Sequence, residues 1–337
     1  MTEVAGSKTE PARPGARPSF LRPKIRDNRA PIATLGVFVV MMALFFVGNP
    51  DVFTDWRIYN AVLTTLPVAL FLVVPLVFVV TVGEIDLSFP AVMGFAGWIF
   101  ALTIQAGLDP FLSMGLAALS GMALGTAIGA IVVYCGLSSL IATLGLSYLI
   151  RGIILIGTDG RSIALTGLRQ TTAYEVFAGK IAGFPVQMIW AVAFVVFAMV
   201  LYNWHRFGAR VHAVGDNPDS AAQMGIDTRR TRVFTFIFVG FGAAMAGVFS
   251  ATINFTWWPS SGEAYLLPVL AAVFVGGTPT WGGIGTVLGA AIGAAIVSFI
   301  EVGIVSAGLD GFYVQFFHGL IIILALIGHR WNQIRYR

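Results

Sequence analysis

Charge is scarce in this chain. Only 11% of its 337 residues are Asp, Glu, Lys or Arg, while 57% are hydrophobic and the mean hydropathy is +0.86. Soluble globular chains carry about 25% charged residues. So few charges cannot coat a water-facing surface of this size, which excludes an ordinary soluble globule and points to lipid. Cysteine is nearly absent. Cys135 stands alone inside an apolar run, so no intramolecular disulfide and no cysteine metal cluster is available, and it reads as a small packing residue. No GxxxxGK[ST] phosphate loop occurs, so any ATP hydrolysis that drives this protein takes place on another chain. The two carboxylates closest together between apolar runs, Glu84 and Asp86, have no nucleophile, base or metal ligand beside them in sequence, so no catalytic residue is assigned. The net charge of +4 does not signal nucleic acid, because the basic residues lie in the tails and in one loop rather than on an aromatic-studded face.

What is present is a series of apolar runs. About 20 such residues cross a hydrocarbon core as a helix. Candidates are 31–48, 58–82, 87–105, 111–134, 139–157, 184–204, 233–253, 266–276, 284–304 and 312–328. This predicts an all-α integral membrane protein of about ten transmembrane helices. The segment 266–276 is too short for a full crossing and runs into Gly276, Gly277 and Pro279, so it is expected to be broken or re-entrant. Such backbone is tolerated only inside protein or beside water. The 39 glycines fit close helix packing.

Three regions follow. Residues 1–30 hold seven Lys/Arg, several prolines and little apolar content, without a cleavage-site pattern, and read as a disordered cytosolic tail. Residues 31–328 form the transmembrane domain, and 329–337 a cytosolic C-terminal tail. With ten crossings and the N-terminus inside, inner segments carry fifteen of the twenty Lys/Arg, including Arg206, Arg210, Arg229, Arg230 and Arg232 of the loop 205–232. Outer loops carry Arg57, Arg161, Arg169 and Lys180, and Arg151 falls within a span. That bias follows the positive-inside rule.

Residues 121–130 (GMALGTAIGA) and 285–294 (GTVLGAAIGA) agree at seven of ten positions. Both are glycine zippers, Gly121/Gly125/Gly129 and Gly285/Gly289/Gly293, whose bare stripe lets another backbone approach. They lie on the fourth and ninth spans, five spans apart and therefore opposite in direction, as in an inverted repeat relating spans 2–5 to 7–10. A competing match, Leu66-Pro67-Val68 with Leu267-Pro268-Val269, pairs spans of one direction; the longer match is preferred.

Three segments carry chemistry. Around Gly83-Glu84-Ile85-Asp86-Leu87-Ser88, the carboxylates sit at an interface or beside an aqueous space, since a charge in mid-bilayer costs ~2.5–3.5 kcal/mol; equally, Asp86 or Ser88 caps the next span. In the loop 205–232, Asp216-Asn217-Pro218 signals a helix start and Gly225 its stop. This short helix is either a grip for a cytosolic motor or part of a solvated loop. Between Asn254 and Tyr265, Trp257 and Trp258 beside amide and carboxylate groups suit sugar stacking, or form an aromatic belt at the bilayer interface.

These segments bear a resemblance. Gly83-Glu84-Ile85-Asp86-Leu87-Ser88 resembles the G-G-I-D-L-S signature of bacterial sugar ABC-importer permeases of the ribose/xylose/arabinose/galactose type. The run Val275 to Gly289 resembles that family's glycine-rich segment, and Ala221-Ala222-Gln223-Met224-Gly225-Ile226 its coupling segment. Branched-chain amino-acid permeases share the latter two but not the first. Glu84 stands where the common signature has glycine. The resemblance implies a multi-pass protein of the bacterial inner membrane, working as a pair of copies. It further implies an ATPase subunit that holds ATP and Mg, and a soluble sugar-binding protein outside; no cofactor is expected on this chain. It implies ATPase coupling through Asp219, Ala221, Ala222, Met224, Gly225 and Ile226. Candidate pathway residues are Glu84, Asp86, Ser88, Asn254, Trp257 and Trp258. The competing reading is an ion-coupled transporter or passive channel, with Glu84, Asp86, Glu301 and His318 as a proton relay.

Overall fold

A computed structural model describes residues 29–335 apart from 307 and 309. The expected N-terminal tail therefore lies almost wholly outside the described residues. In chain order the helices are α1 (Arg29–Gly48), α2 (Pro50–Phe53), α3 (Trp56–Thr81), α4 (Phe89–Gln105), α5 (Pro110–Tyr134), α6 (Ser139–Thr158), α7 (Thr172–Ala178), α8 (Val186–Asn203), α9 (Arg206–Asp216), α10 (Pro218–Gln223), α11 (Thr228–Asn254), α12 (Leu266–Val275), α13 (Val287–Ser306) and α14 (Phe312–Arg335). Four two-residue strands form two antiparallel pairs: β1 (Ile163–Ala164) with β4 (Thr256–Trp257), and β2 (Lys180–Ile181) with β3 (Phe184–Pro185).

Each of the ten apolar runs forms a helix, so the protein is an all-α membrane protein. Among the described residues seven helices are long and apolar enough to cross a bilayer alone; Phe89–Gln105, Glu263–Val275 and Phe312–Ile327 are shorter apolar segments. The break expected near 266–276 is real: α12 has ten residues and stops at Val275 before Gly276. Two boundaries differ from expectation. The helix of α1 begins at Arg29, inside the stretch read as tail, and α14 continues to Arg335 through the stretch read as C-terminal tail. Cys135 is also corrected: α5 ends at Tyr134, so the cysteine falls in the turn beyond it and is exposed rather than packed.

The core forms around α3, whose second half is wholly buried from Leu70 to Thr81. It packs against α8, α11, α12 and α13. Peripheral helices keep apolar surface outward instead: Val39, Val40 and Leu44 on α1, Ile141, Leu149 and Ile156 on α6, and Phe316, Ile323 and Leu324 on α14 are exposed. In water such surface would aggregate; in hydrocarbon it is the solvated face.

Both glycine zippers meet backbone, though not at every position. A Cβ on Gly125 would fall on the Phe236 carbonyl and within 3.1 Å of the Ile237 Cα, and one on Gly121 would lie 2.7 Å from the Ala244 Cβ and on the Gly240 carbonyl, so the α5 stripe faces α11. Gly129 departs from the expected backbone approach. A Cβ there would meet a side chain first, lying 2.9 Å from the Phe236 Cβ and 3.3 Å from its ring, with the Val233 Cα at 3.2 Å. Gly129 is buried all the same, and its missing side chain makes room for Phe236 rather than for a carbonyl. Gly289 and Gly293 of α13 face the carbonyls of Gly276 and Ala272, at α12 and its end. Gly285 is the second departure: it lies before α13 and faces the side chains of Thr81 and Tyr202. The two stripes thus have non-equivalent partners. The packing pattern is nonetheless regular: α5 rests on α4, α6 and α11, as α13 rests on α12, α14 and α3, and α4 meets α6 as α12 meets α14.

Candidate functional site

The chain between α3 and α4 is extended, and α6 holds it there. Ser139 Oγ accepts from the Ile85 amide at 3.1 Å and Thr143 Oγ1 from the Leu87 amide at 2.9 Å, so the start of α6 satisfies backbone groups that no strand pairs. Asp86 is buried. Its Oδ1 accepts from the Ser88 amide at 2.7 Å and from Ser88 Oγ at 2.5 Å. Of the two candidate caps, Asp86 is the acceptor at the start of α4; Ser88 occupies the N-cap position but makes no capping bond with its own side chain. Glu84 points elsewhere, to Arg232 in the second turn of α11, at 3.3 Å between Oε1 and Nη1.

The glycine-rich loop 276–286 closes on the same place. The Gly283 amide donates to the Thr81 carbonyl at 2.8 Å, and a Cβ on Gly282 would lie 3.0 Å from the backbone of Gly83. The third party is α9. Gly215 sits directly on the Thr81 carbonyl and beside the Gly283 amide, and His212 Nδ1 lies 3.2 Å from the Gly283 carbonyl oxygen. The His212 ring meets Tyr202 edge-on, and Tyr202 shares a 2.7 Å hydrogen bond with Thr81 Oγ1. The end of α3, the loop before α13 and the end of α9 are therefore joined backbone to backbone.

From that junction the chain runs into α10. Asn217 Oδ1 accepts from the amides of Asp219 at 3.0 Å and Ser220 at 2.9 Å, the N-cap expected from the Asn-Pro pair. Gly225 ends the helix at φ +80°. Ala221 is buried against the protein, whereas Asp219, Ala222, Met224 and Gly225 are exposed and Ile226 is partly buried, so the helix offers a face outward.

The aromatic segment divides. Trp257 is buried, its indole N–H donating to the Gly94 carbonyl at 2.9 Å, so the ring packs between α4 and the loop in this conformation. Trp258 and Asn254 are exposed. Beyond them Gly262, at φ +99°, lies against the Pro90 carbonyl in the first turn of α4, and Glu263 forms an ion pair with Arg151 of α6. Sequence reasoning missed this pair; the lone arginine of an apolar run was the available signal. The supposed relay does not assemble: among the described residues no hydrogen bond or ion pair joins any two of Glu84, Asp86, Glu301 and His318.

A helical membrane protein with a broken span, a buried carboxylate between α3 and α4, and a helix, α9, that joins two loops to the exposed α10 has the architecture of a membrane transport protein. The comparisons give the family. Residues 58–326 match the family model for the branched-chain amino acid transport system / permease component, and the chain belongs to that family. It is 32% identical to the ribose import permease protein of Haemophilus influenzae, over 87% of this chain and 91% of that one. It is 31% identical to the ribose import permease protein of Bacillus subtilis, over 87% and 90%, and 29% identical to the D-allose transport system permease protein of Escherichia coli, over 87% and 88%. Within the broad family the chain is therefore a permease of the sugar ABC-importer type.

Proposed function

We propose that this chain is the transmembrane subunit of an ATP-driven importer that moves a monosaccharide or related polyol across the bacterial inner membrane by alternating access. The observation that carries the reading is the junction of α9 with the end of α3 and the loop 276–286. A motor subunit gripping α10 pulls, through α9, on both loops at once. Asp219, Ala222, Met224 and Gly225 form the grip, with Ala221 and Ile226 seating the helix. ATP and Mg belong to that motor subunit, and a soluble sugar-binding protein delivers cargo on the other side. The curated relatives are named as ribose and D-allose permeases, which favours a neutral polyhydroxylated cargo.

In this reading there are ten crossings with both termini cytosolic, supported by the distribution of Lys and Arg. An inverted repeat relates α3, α4, α5 and α6 to α11, α12, α13 and α14. The matching packing pattern supports it better than the zipper match, since equivalent helix pairs touch in both halves while the stripes face different partners. Two copies enclose the pathway, with Glu84, Asp86, Ser88, Asn254 and Trp258 as candidates along it.

The test is uptake of labelled D-ribose, D-allose and L-arabinose into vesicles holding this chain with its ATPase, the binding protein supplied outside and ATP inside. Uptake of at least one sugar that stops when ATP or the ATPase is withheld is the expected result. Uptake that persists without the ATPase would overturn the reading in favour of an ion-coupled carrier or a channel.

A further inference from the structure

Arg151 is the sole charged residue of α6 and the thirteenth of its twenty residues. At 1.5 Å per residue it lies ~18 Å from the start of the helix and ~10 Å from its end. Its neighbours on the same exposed face of the helix, Leu144, Tyr148 and Leu155, are apolar or aromatic. Its partner Glu263 stands where irregular backbone gives way to helix. Between α11 and Glu263 the chain is non-helical, with the short strand β4 in it, and it runs down the side of α4: Trp257 bonds the Gly94 carbonyl, the Ser261 carbonyl lies 2.8 Å from a Cβ placed on Gly94, and Gly262 rests on Pro90, after which Glu263 opens the 3-10 turn Glu263–Tyr265 that leads into α12. Ile154, one turn along from Arg151, reaches within 3.4 Å of that same Gly94 position. Glu263 is thus fastened deep beside the first half of α4, level with the middle of α6.

Both members of the pair are open at the surface, with 31% and 45% of their side chains exposed. A charge facing hydrocarbon near a helix centre costs ~2.5–3.5 kcal/mol, and irregular backbone is tolerated at that depth only in protein or beside water. The exposed side of the pair therefore faces water or protein rather than hydrocarbon, and a pathway enclosed by two copies supplies both. The pair is net neutral, so it holds no ion by charge alone. It offers instead the unused N–H groups of a guanidinium next to the free lone pairs of a carboxylate. Adjacent hydroxyls of a sugar each need a donor and an acceptor, and this arrangement supplies both side by side. The same loop exposes the Trp258 ring, an apolar face suited to the C–H side of a sugar.

We propose that Arg151 and Glu263 form a sugar-binding station in the membrane, at which a vicinal diol of the cargo docks during passage. This rests on the permease reading above.

The test uses the same ATPase-containing vesicles and the same three sugars. Arg151→Met and the isosteric Glu263→Gln are each expected to lower uptake at least tenfold, and Glu263→Asp to change the ratio of rates among D-ribose, D-allose and L-arabinose at least threefold. The control is the exchanged pair, Arg151→Glu with Glu263→Arg. It restores attraction between α6 and the loop, so it is expected to recover membrane yield without the original sugar preference. Recovery of both yield and unchanged preference would make the pair a structural clamp and overturn the proposal, as would single variants that keep uptake within twofold of wild type. A wild-type protein that moves none of the three sugars would instead overturn the permease reading, and the station with it.

Discussion

The Gly283 amide donates to the Thr81 carbonyl at 2.8 Å, across 202 positions of sequence, and Gly215 fills the space beside that bond. Nothing larger than a hydrogen atom fits there. A Cβ on residue 215 would overlap the Thr81 carbonyl and approach the Gly283 nitrogen at 2.6 Å, both of them backbone atoms that cannot rotate away. Gly215→Ala is therefore expected to push α9 off the junction, with an overpacking cost of ~1–3 kcal/mol. The measurement is sugar uptake alongside ATP hydrolysis in reconstituted vesicles. Uptake should fall at least tenfold while hydrolysis by the attached ATPase continues. Normal uptake per ATP would show that the junction transmits nothing.

Gly225 makes a different kind of demand. Its φ of +80° is one that residues with a Cβ avoid, yet a Cβ there would meet no atom within 4 Å. Replacement thus strains the backbone at ~1–2 kcal/mol without any clash inside this chain. Gly225→Trp is expected to insert into the membrane in normal amount, because nothing in the core is disturbed, but to lose coupling between ATP hydrolysis and uptake because the bulk lies on the face offered to the motor. Full transport by this variant would remove α10 from the docking role.

These two glycines mark what sequence could reveal. The ten apolar runs were legible because hydropathy reads directly as span, and α10 because Asn217, Pro218 and Gly225 are local signals with local causes. Helix α9 was read as loop since its sequence is polar; its buried residues Gly208, Val211 and Val214 recur every third position, a weak helical signal within a run of charges. The junction at Thr81 was not legible at all, and of the Arg151–Glu263 pair only the lone arginine in an apolar run was visible. Both join segments more than a hundred residues apart, so no local pattern names the partner. Gly121, Gly125, Gly289 and Gly293 lie against backbone, but sequence could not say that one stripe meets α11 and the other α12, or that Gly285 falls before α13. Nor could it say that Gly129 makes way for the Phe236 side chain while Gly125, one turn earlier, makes way for the same residue's carbonyl.

Close packing makes the zippers a stringent test. Gly125 faces the Phe236 carbonyl and Gly289 the Gly276 carbonyl, so even a methyl group separates the helices. Gly125→Leu and Gly289→Leu are each expected to destabilise the protein by ~2 kcal/mol or more. Thermal unfolding in detergent and yield in the membrane report this. Unchanged stability in both would mean that α5 and α13 part from their neighbours at no cost, contrary to the packing described above.

Glu84 and Asp86 lie two positions apart in an extended segment, and they do different work. Asp86 is buried and accepts from the Ser88 amide and hydroxyl, so Asp86→Ala removes an acceptor from groups with no access to water. The expected cost is ~1–3 kcal/mol, and Asp86→Asn should recover part of it because an amide oxygen still accepts. Glu84 is tied to Arg232 near the start of α11, with 14% of its side chain exposed. Glu84→Gln keeps an acceptor for the Arg232 Nη1 at nearly the same size, so stability should stay close to wild type, while loss of a charge on the pathway should change uptake or sugar preference. Glu84→Lys puts like charges face to face. It should lower uptake at least fivefold, and Arg232→Glu in the same chain should restore it, since the attraction is re-formed with its sign exchanged. Thermal stability and vesicle uptake for the five variants separate the two roles. Uptake and sugar preference unchanged by Glu84→Gln would take Glu84 off the cargo's path; failure of the exchanged pair to recover uptake would show that its contact with Arg232 is incidental to transport.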